Sequence, residues 1–148
     1  MKPMRQSGRV SLLGLLSALC AIVIVALLFF SKETPTVAGT RFMAALESHD
    51  VSTLTKMTKM DGASEDAIRK QWDFSVNQAE RYYRFQWKVD GATQSSPTTA
   101  SVKVRMYRDA DKASAFEEQE QLPMVKVGDE WKVDVRALSR EFYNCLPQ

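Results

Sequence analysis

From Val10 to Phe30 the chain runs VSLLGLLSALCAIVIVALLFF, 21 residues without a charge, broken only by Ser11, Gly14, Ser17 and Cys20. As a helix rising about 1.5 Å per residue, such a run reaches roughly 30 Å, the thickness of a bilayer's hydrocarbon core. A buried helix of a water-soluble fold rarely continues this far without a polar face. The stretch reads as a membrane-spanning helix or a signal sequence, and whatever follows must fold from where it ends.

A removable signal peptide joins a basic start to a shorter apolar run, about 7 to 15 residues, with a small-residue cleavage site close behind. The start fits, with Lys2, Arg5 and Arg9, but the run closes on Leu27, Leu28, Phe29 and Phe30. The first acceptable site, Thr36-Val37-Ala38, lies beyond Lys32, Glu33 and Pro35. A lipoprotein-type site at Cys20 is opposed by the bulky Leu19 before it and by the apolar residues that continue to Phe30. We therefore expect an uncleaved signal anchor over 10–30. Three cations precede it, whereas Lys32 and Glu33 cancel just after it. The positive-inside rule makes 1–9 a cytoplasmic basic segment and places the C-terminal part outside the cytoplasm, single-pass in the cell membrane, with the lipid bilayer as first partner.

Beyond a linker over 31–35, residues 36–148 suffice for one modest core and not for two. The chain carries 20 Lys and Arg against 18 Asp and Glu, but Lys2, Arg5, Arg9 and Lys32 precede residue 33; the remaining 16 face 18, a net −2. Nucleic-acid binding requires a basic face, so that class is set aside. Cys20 falls in the apolar run and Cys145 near the end, so the two do not pair and the core alone must hold the outer domain.

Thr36 is placed to cap a helix to about Ser48, in which Ala38, Phe42, Ala45 and Leu46 recur at helical spacing. After Ser48-His49-Asp50, Val51, Leu54 and Met57 mark a second helix ending at Asp61-Gly62. Ser64, with Glu65 and Asp66 behind it, opens a third whose Ile68 and Trp72 face the core. The period then becomes two. Tyr83, Phe85, Trp87 and Val89 alternate with polar residues until Asp90-Gly91 closes the strand, and Ala92 to Thr99 reads as an exposed loop. Ala100, Val102, Val104 and Met106 alternate with Ser101, Lys103, Arg105 and Tyr107 in a second strand.

Asp109 to Gln121 has a helix-favouring composition but lies between strands. We read it as a hairpin turn near Asp109 to Lys112 followed by a long polar edge strand, and Pro123 argues for an edge or a bulge. Met124 to Val127, Gly128-Asp129 and the alternating Trp131, Val133 and Val135 form a closing hairpin. The tail Ala137 to Gln148 forms a short turn that packs Leu138, Phe142 or Tyr143.

This order of elements, with Phe42-Met43-Ala44-Ala45-Leu46-Glu47-Ser48-His49-Asp50 as opening helix and turn and Lys126-Val127-Gly128-Asp129-Glu130-Trp131-Lys132-Val133 as closing hairpin, resembles the nuclear transport factor 2-like superfamily. In particular, it resembles small membrane-anchored bacterial families of unknown function. His49 departs from the glycine often found before that aspartate. The resemblance implies an α+β cone of about three helices packed on a curved antiparallel sheet, sometimes with a pocket at the open end. Its members include isomerases and dehydratases, ligand binders, and assembly factors such as bitopic components of type IV secretion systems, so fold does not choose among functions.

An enzyme would need a pocket acid or base tuned by its neighbours, and the candidates are Asp73, His49, Tyr83 and Tyr107. His49 in a helix-ending turn and Asp73, about 100° from Trp72 on its helix, read more simply as solvated. A ligand pocket could be lined by Trp72, Tyr83, Trp87 and Trp131, although filling the core is their ordinary role. Lys103 and Arg105, on the outward face of their strand, are the expected contact for a protein partner or a second copy in a homodimer. The acidic run Glu117, Glu118, Glu120 reads as a solvated face, with a basic partner as the alternative. With one His, and one Cys outside the apolar run, no metal set is visible; no phosphate loop or nucleophile motif is present, and no cofactor is expected. The expected function is an extracytoplasmic, membrane-anchored binding or assembly module without catalysis. The alternatives are a small-molecule binder using the open end of the cone and, behind it, an isomerase- or dehydratase-like enzyme.

Overall fold

A computed structural model describes residues 33–108 and 116–148. The expected anchor over 10–30, the basic segment 1–9 and the turn near Asp109 to Lys112 lie outside the described residues. Among those described, no helix is long and apolar enough to cross a membrane.

Helix α1 spans Pro35–Glu47, and its cap is Thr34, whose hydroxyl accepts from the Val37 N–H at 3.3 Å. Thr36, the cap expected from sequence, lies inside the first turn instead. The reason is Pro35, whose fixed φ and missing N–H suit the first helical position and draw the start back. Glu33 reaches forward to Arg41, 3.0 Å away. The expected stripe is buried, Ala38, Phe42, Ala45 and Leu46 all being at most 4% exposed. Gly39 lets the helix press against strand β3 (Thr99–Arg108), since a Cβ there would stand 2.8 Å from Val102 Cγ1.

His49 ends α1. Its φ of 57° is the left-handed turn of a helix C-terminus, with the Asp50 N–H returning to the Ala45 carbonyl at 2.8 Å and the His49 N–H to Leu46 at 3.3 Å. Asp50 then caps α2 (Val51–Met57) by accepting from the Thr53 N–H at 3.1 Å. That helix stops earlier than the expected Asp61-Gly62, because Thr58–Lys59 extend as β1 and pair in parallel with β5 (Glu130–Asp134). Two residues are too few to show a period of two, so this strand leaves no mark in the sequence.

Ser64 caps α3 (Glu65–Asp73), which buries Ile68 and Trp72 as expected. It runs on into a π-helical segment, Phe74–Ala79, closed by Glu80 N–H to Ser75 carbonyl at 2.9 Å.

With β2 over Phe85–Ser96 and β4 over Phe116–Val127, the sheet has the order β1-β5-β4-β3-β2. It is mixed rather than wholly antiparallel, with β1 parallel to β5 and the other pairs antiparallel. Strand β2 spans Phe85–Ser96, so the polar stretch expected to be a loop over Ala92 to Thr99 is mostly strand. The register shifts between Val89 and Gly91, a bulge at which Gly91 takes φ 142°, and Ala92, Thr93 and Gln94 then pair with Val102, Ser101 and Ala100. Tyr83 precedes β2 in a turn whose N–H bonds to the Glu80 carbonyl, and is not a residue of the strand.

Strand β4 (Phe116–Val127) is the long polar strand that was expected, but it is not simply an edge. It pairs with β3 from Phe116 to Val125 and with β5 only from Met124 to Val127. Pro123, which has no N–H to give, stands just before the pairing with β5 begins. The hairpin to β5 turns on Gly128-Asp129 with Gly128 at φ 63°, as a two-residue loop demands. The helices pack on this sheet around one core, completed by Leu138, Phe142, Tyr143 and Leu146 of the tail, each at most 4% exposed.

Candidate functional site

The four aromatics proposed from sequence as a pocket lining are engaged separately. Trp72 is sealed in the core, giving its indole N–H to Thr58 Oγ1 at 2.8 Å and meeting Phe42 edge-on at 5.9 Å. Trp87 is half-buried and donates to Glu47 Oε2 at 2.7 Å, tying β2 to the end of α1. Tyr83 stacks on Phe85 at 5.5 Å, and its hydroxyl accepts from Arg108 Nη1 at 2.9 Å. Trp131, buried at the start of β5, lies beside a cleft between α2, α3 and that strand. Asp73 is exposed and accepts from Asn77 Nδ2 at 2.9 Å, and Tyr107 donates to Glu117 Oε2 at 2.9 Å. His49 is partly buried; burial first, and then the Arg84 charge, lower its pKa.

Sequence reasoning missed Arg108. It continues the inward row Ala100, Val102, Val104 and Met106 of β3, and its side chain is 19% exposed. It pairs with Glu118, lies 3.8 Å from Glu120, and donates to Tyr83 Oη and to the Glu141 and Phe142 carbonyls of the tail. The register sets Glu118 opposite Met106 and Glu120 opposite Val104, on the core side of β4, so two of the three acidic residues read as a solvated face point inward. Burial raises the Glu120 pKa and the Arg108 charge opposes the rise. The available signal was a cation in phase with an apolar row; the acidic run itself is polar on both faces and could not show which way it points. This cluster bonds sheet, turn and tail through one side chain, in charge-assisted hydrogen bonds of the stronger kind.

The tail is held elsewhere as well. Ser75 Oγ donates to the Cys145 carbonyl and the Gln148 N–H to Gln71 Oε1, while Tyr143 packs edge-on to Tyr83 at 5.6 Å.

On the outward face, Arg105 is not the free charge expected from sequence. Its Nη2 donates to Asp90 Oδ1 at 2.7 Å, its Nε lies 2.7 Å from Oδ2, and Glu117 is 3.8 Å from Nη1. That pairing lowers the Asp90 pKa. Ser101 donates to Gln121 Oε1 at 2.7 Å on the same face. Lys103 is exposed and has no ion pair among the described residues. Of the two predicted contact residues, then, one braces the sheet and the other stands in solvent.

No family model matches the chain, and no curated protein matches it. Several solved structures are similar to it. One from Campylobacter jejuni, described as a nuclear transport factor 2-like transpeptidase, is 15% identical over 68% of this chain and 97% of that one, with a TM-score of 0.48. A nuclear transport factor 2-like protein of unknown function from Shewanella oneidensis is 12% identical over 65% and 88%, at 0.44. A ketosteroid isomerase-like protein from Erwinia carotovora atroseptica is 14% identical over 65% and 85%, at 0.42.

Proposed function

We propose that this chain is a membrane-anchored binding or assembly module, which meets a protein partner or a second copy of itself through the outward face of β2, β3 and β4. The observation that carries the reading is how the inward side is occupied. Phe42, Trp72, Phe85 and Met106 fill it from helices and sheet, Phe142 and Tyr143 fill it from the tail, and Arg108 bonds that tail in place. Protein atoms thus take the space that a ligand under the sheet would need, whereas ligand sites are concave and largely pre-formed. On the outward face Lys88 and Lys103 remain exposed beside the Arg105–Asp90 pair, a charged surface with a fixed pattern, of the kind that selects partners.

The anchor is the apolar run 10–30, and the location outside the cytoplasm follows from Lys2, Arg5 and Arg9 ahead of it. A reporter active only outside the cytoplasm, fused after Gln148, is expected to be active, with the full-length product in the membrane fraction. A shortened, soluble product refutes the anchor. For the surface, a photo-crosslinking residue at Lys103 in the full chain in its native membrane should give one adduct of discrete mass, lost when Lys88→Glu is added. Irradiation that yields no adduct from a fully accumulated protein refutes the partner face.

A further inference from the structure

A cleft of about 480 Å³ opens at the side of the sheet where β1 joins β5, and it shares no residue with the Arg108 cluster or with the outward face of β2 to β4. Its volume is within the range of small-ligand sites. Three cations from three elements line it: Arg41 of α1, Lys56 of α2 and Lys132 of β5. Glu65 and Glu130 line it too, and Arg41 is paired with Glu33. The apolar part of its wall is Met57, Ile68 and Trp131, each under 10% exposed.

Two further observations point to an occupant. Arg41 is already fixed, by Glu33 at 3.0 Å and by donation from Nε to Met57 Sδ at 3.3 Å, whereas Lys56 and Lys132 have no ion-pair partner among the described residues. The second is Trp131. Trp72 and Trp87 both give their indole N–H to an acceptor, but that of Trp131 meets none among the described residues although the residue is 3% exposed. The cleft is an opening that this ring lines. The backbone contributes as well: β1 pairs with β5 only at Val133 and Asp134, leaving that edge of Glu130 to Lys132 without a strand beside it.

We propose that this cleft binds a small monoanion with an apolar body, a carboxylate or a phosphodiester. Its head sits among Lys56, Lys132 and the Trp131 N–H, and its body lies on Met57, Ile68 and the indole ring. The site does not depend on the partner face.

The test is the full chain in neutral detergent micelles with ¹⁵N-labelled tryptophan, which gives one indole signal for each of the three tryptophans. Hexanoate, dibutyl phosphate and neutral hexanol are titrated in turn. Either anion should move the Trp131 signal saturably while that of Trp87, bonded to Glu47, stays still, and hexanol should not saturate. The tighter of the two anions assigns the source, a free carboxylate or a lipid-type phosphodiester. Lys56→Gln and Lys132→Gln should each weaken binding about two- to fivefold, the worth of a solvent-exposed ion pair, and Lys132→Arg should restore it. Retained positions of the Trp72 and Trp87 signals report that a variant is folded. A Trp131 signal that does not move, that moves equally with hexanol, or that keeps its affinity in both folded glutamine variants overturns the proposal.

Discussion

Replacing Gly39 by alanine sets two effects of known size against each other. In an open helix the change gains about 1 kcal/mol, because glycine carries the larger backbone entropy cost. Here the added Cβ would stand 2.8 Å from Val102 Cγ1, 3.2 Å from Cγ2 and 3.3 Å from Cβ, inside the carbon–carbon optimum of about 3.5 to 4.0 Å. Val102 is 0% exposed within the core, so its methyls have nowhere to retreat. Overpacking of this kind costs about 1 to 3 kcal/mol, and subtracting the helix gain leaves a net loss of about 1 kcal/mol. Val102→Ala alone should cost about 2 kcal/mol through transfer and cavity terms. In the double variant the new methyl enters the space the valine vacates, so it should be more stable than the sum of the singles by about 1 to 2 kcal/mol. The assay is urea unfolding of a fragment of residues 33–148, followed by tryptophan fluorescence. That fragment should fold alone, because it holds the core cluster formed by the described residues. A stabilising Gly39→Ala, or a cycle additive within about 0.3 kcal/mol, would refute the close approach of α1 to β3.

Trp131→Ala should destabilise the same fragment by about 3 to 5 kcal/mol, and a loss under about 1 kcal/mol would mean that the closing hairpin does not bury this ring. His49→Gly should stabilise by about 0.5 to 1 kcal/mol, since φ 57° costs a side chain what it does not cost glycine. The same variant bears on pH. A histidine whose folded pKa lies below its unfolded value binds protons more readily when unfolded, so its stability contribution is present above about pH 6.5 and is lost as pH falls towards the folded pKa. His49 is the one histidine, so the loss of stability between about pH 7 and 6 should be smaller in His49→Gly, and an unchanged slope would reject the assignment. Tyr143→Phe removes a buried hydroxyl that has no partner among the described residues and should be neutral or stabilising by up to about 1 kcal/mol in thermal unfolding; a loss above about 1 kcal/mol would imply an acceptor for it.

What could be read from the chain was decided by how one-sided each segment is. α1 is legible because Ala38, Phe42, Ala45 and Leu46 are buried on a helix whose other face is wet, and the last hairpin because Trp131 and Val133 alternate beside a Gly-Asp turn. The second half of β2 is not, since Ala92, Thr93, Gln94 and Ser95 are all exposed, on both faces, and a period of two needs one buried face. Glu118 and Glu120 failed for the related reason that the first half of β4 is polar on both sides. At the candidate sites, the position of Lys103 in solvent was legible from its strand, but the bond between Arg105 and Asp90 depends on a bulge at Gly91 that no spacing announces. The cleft was invisible altogether, because Arg41, Lys56 and Lys132 are scattered along the sequence and meet only through the parallel pairing of a two-residue strand.

The π-helical segment Phe74–Ala79 bears on how the chain can change its length. A π turn holds about one residue more than an α turn, so the stretch after α3 carries a residue that the path from Trp72 to Phe85 does not need. Deleting one residue there would restore the α pitch and leave Trp72 on Thr58 and β2 in its register with β3. The same deletion within Glu65–Asp73 would turn part of that helix by about 100° and carry Ile68 or Trp72 out of the core. A single-residue loss between helix and sheet would therefore be absorbed at this one turn, the only π-helical segment among the described residues.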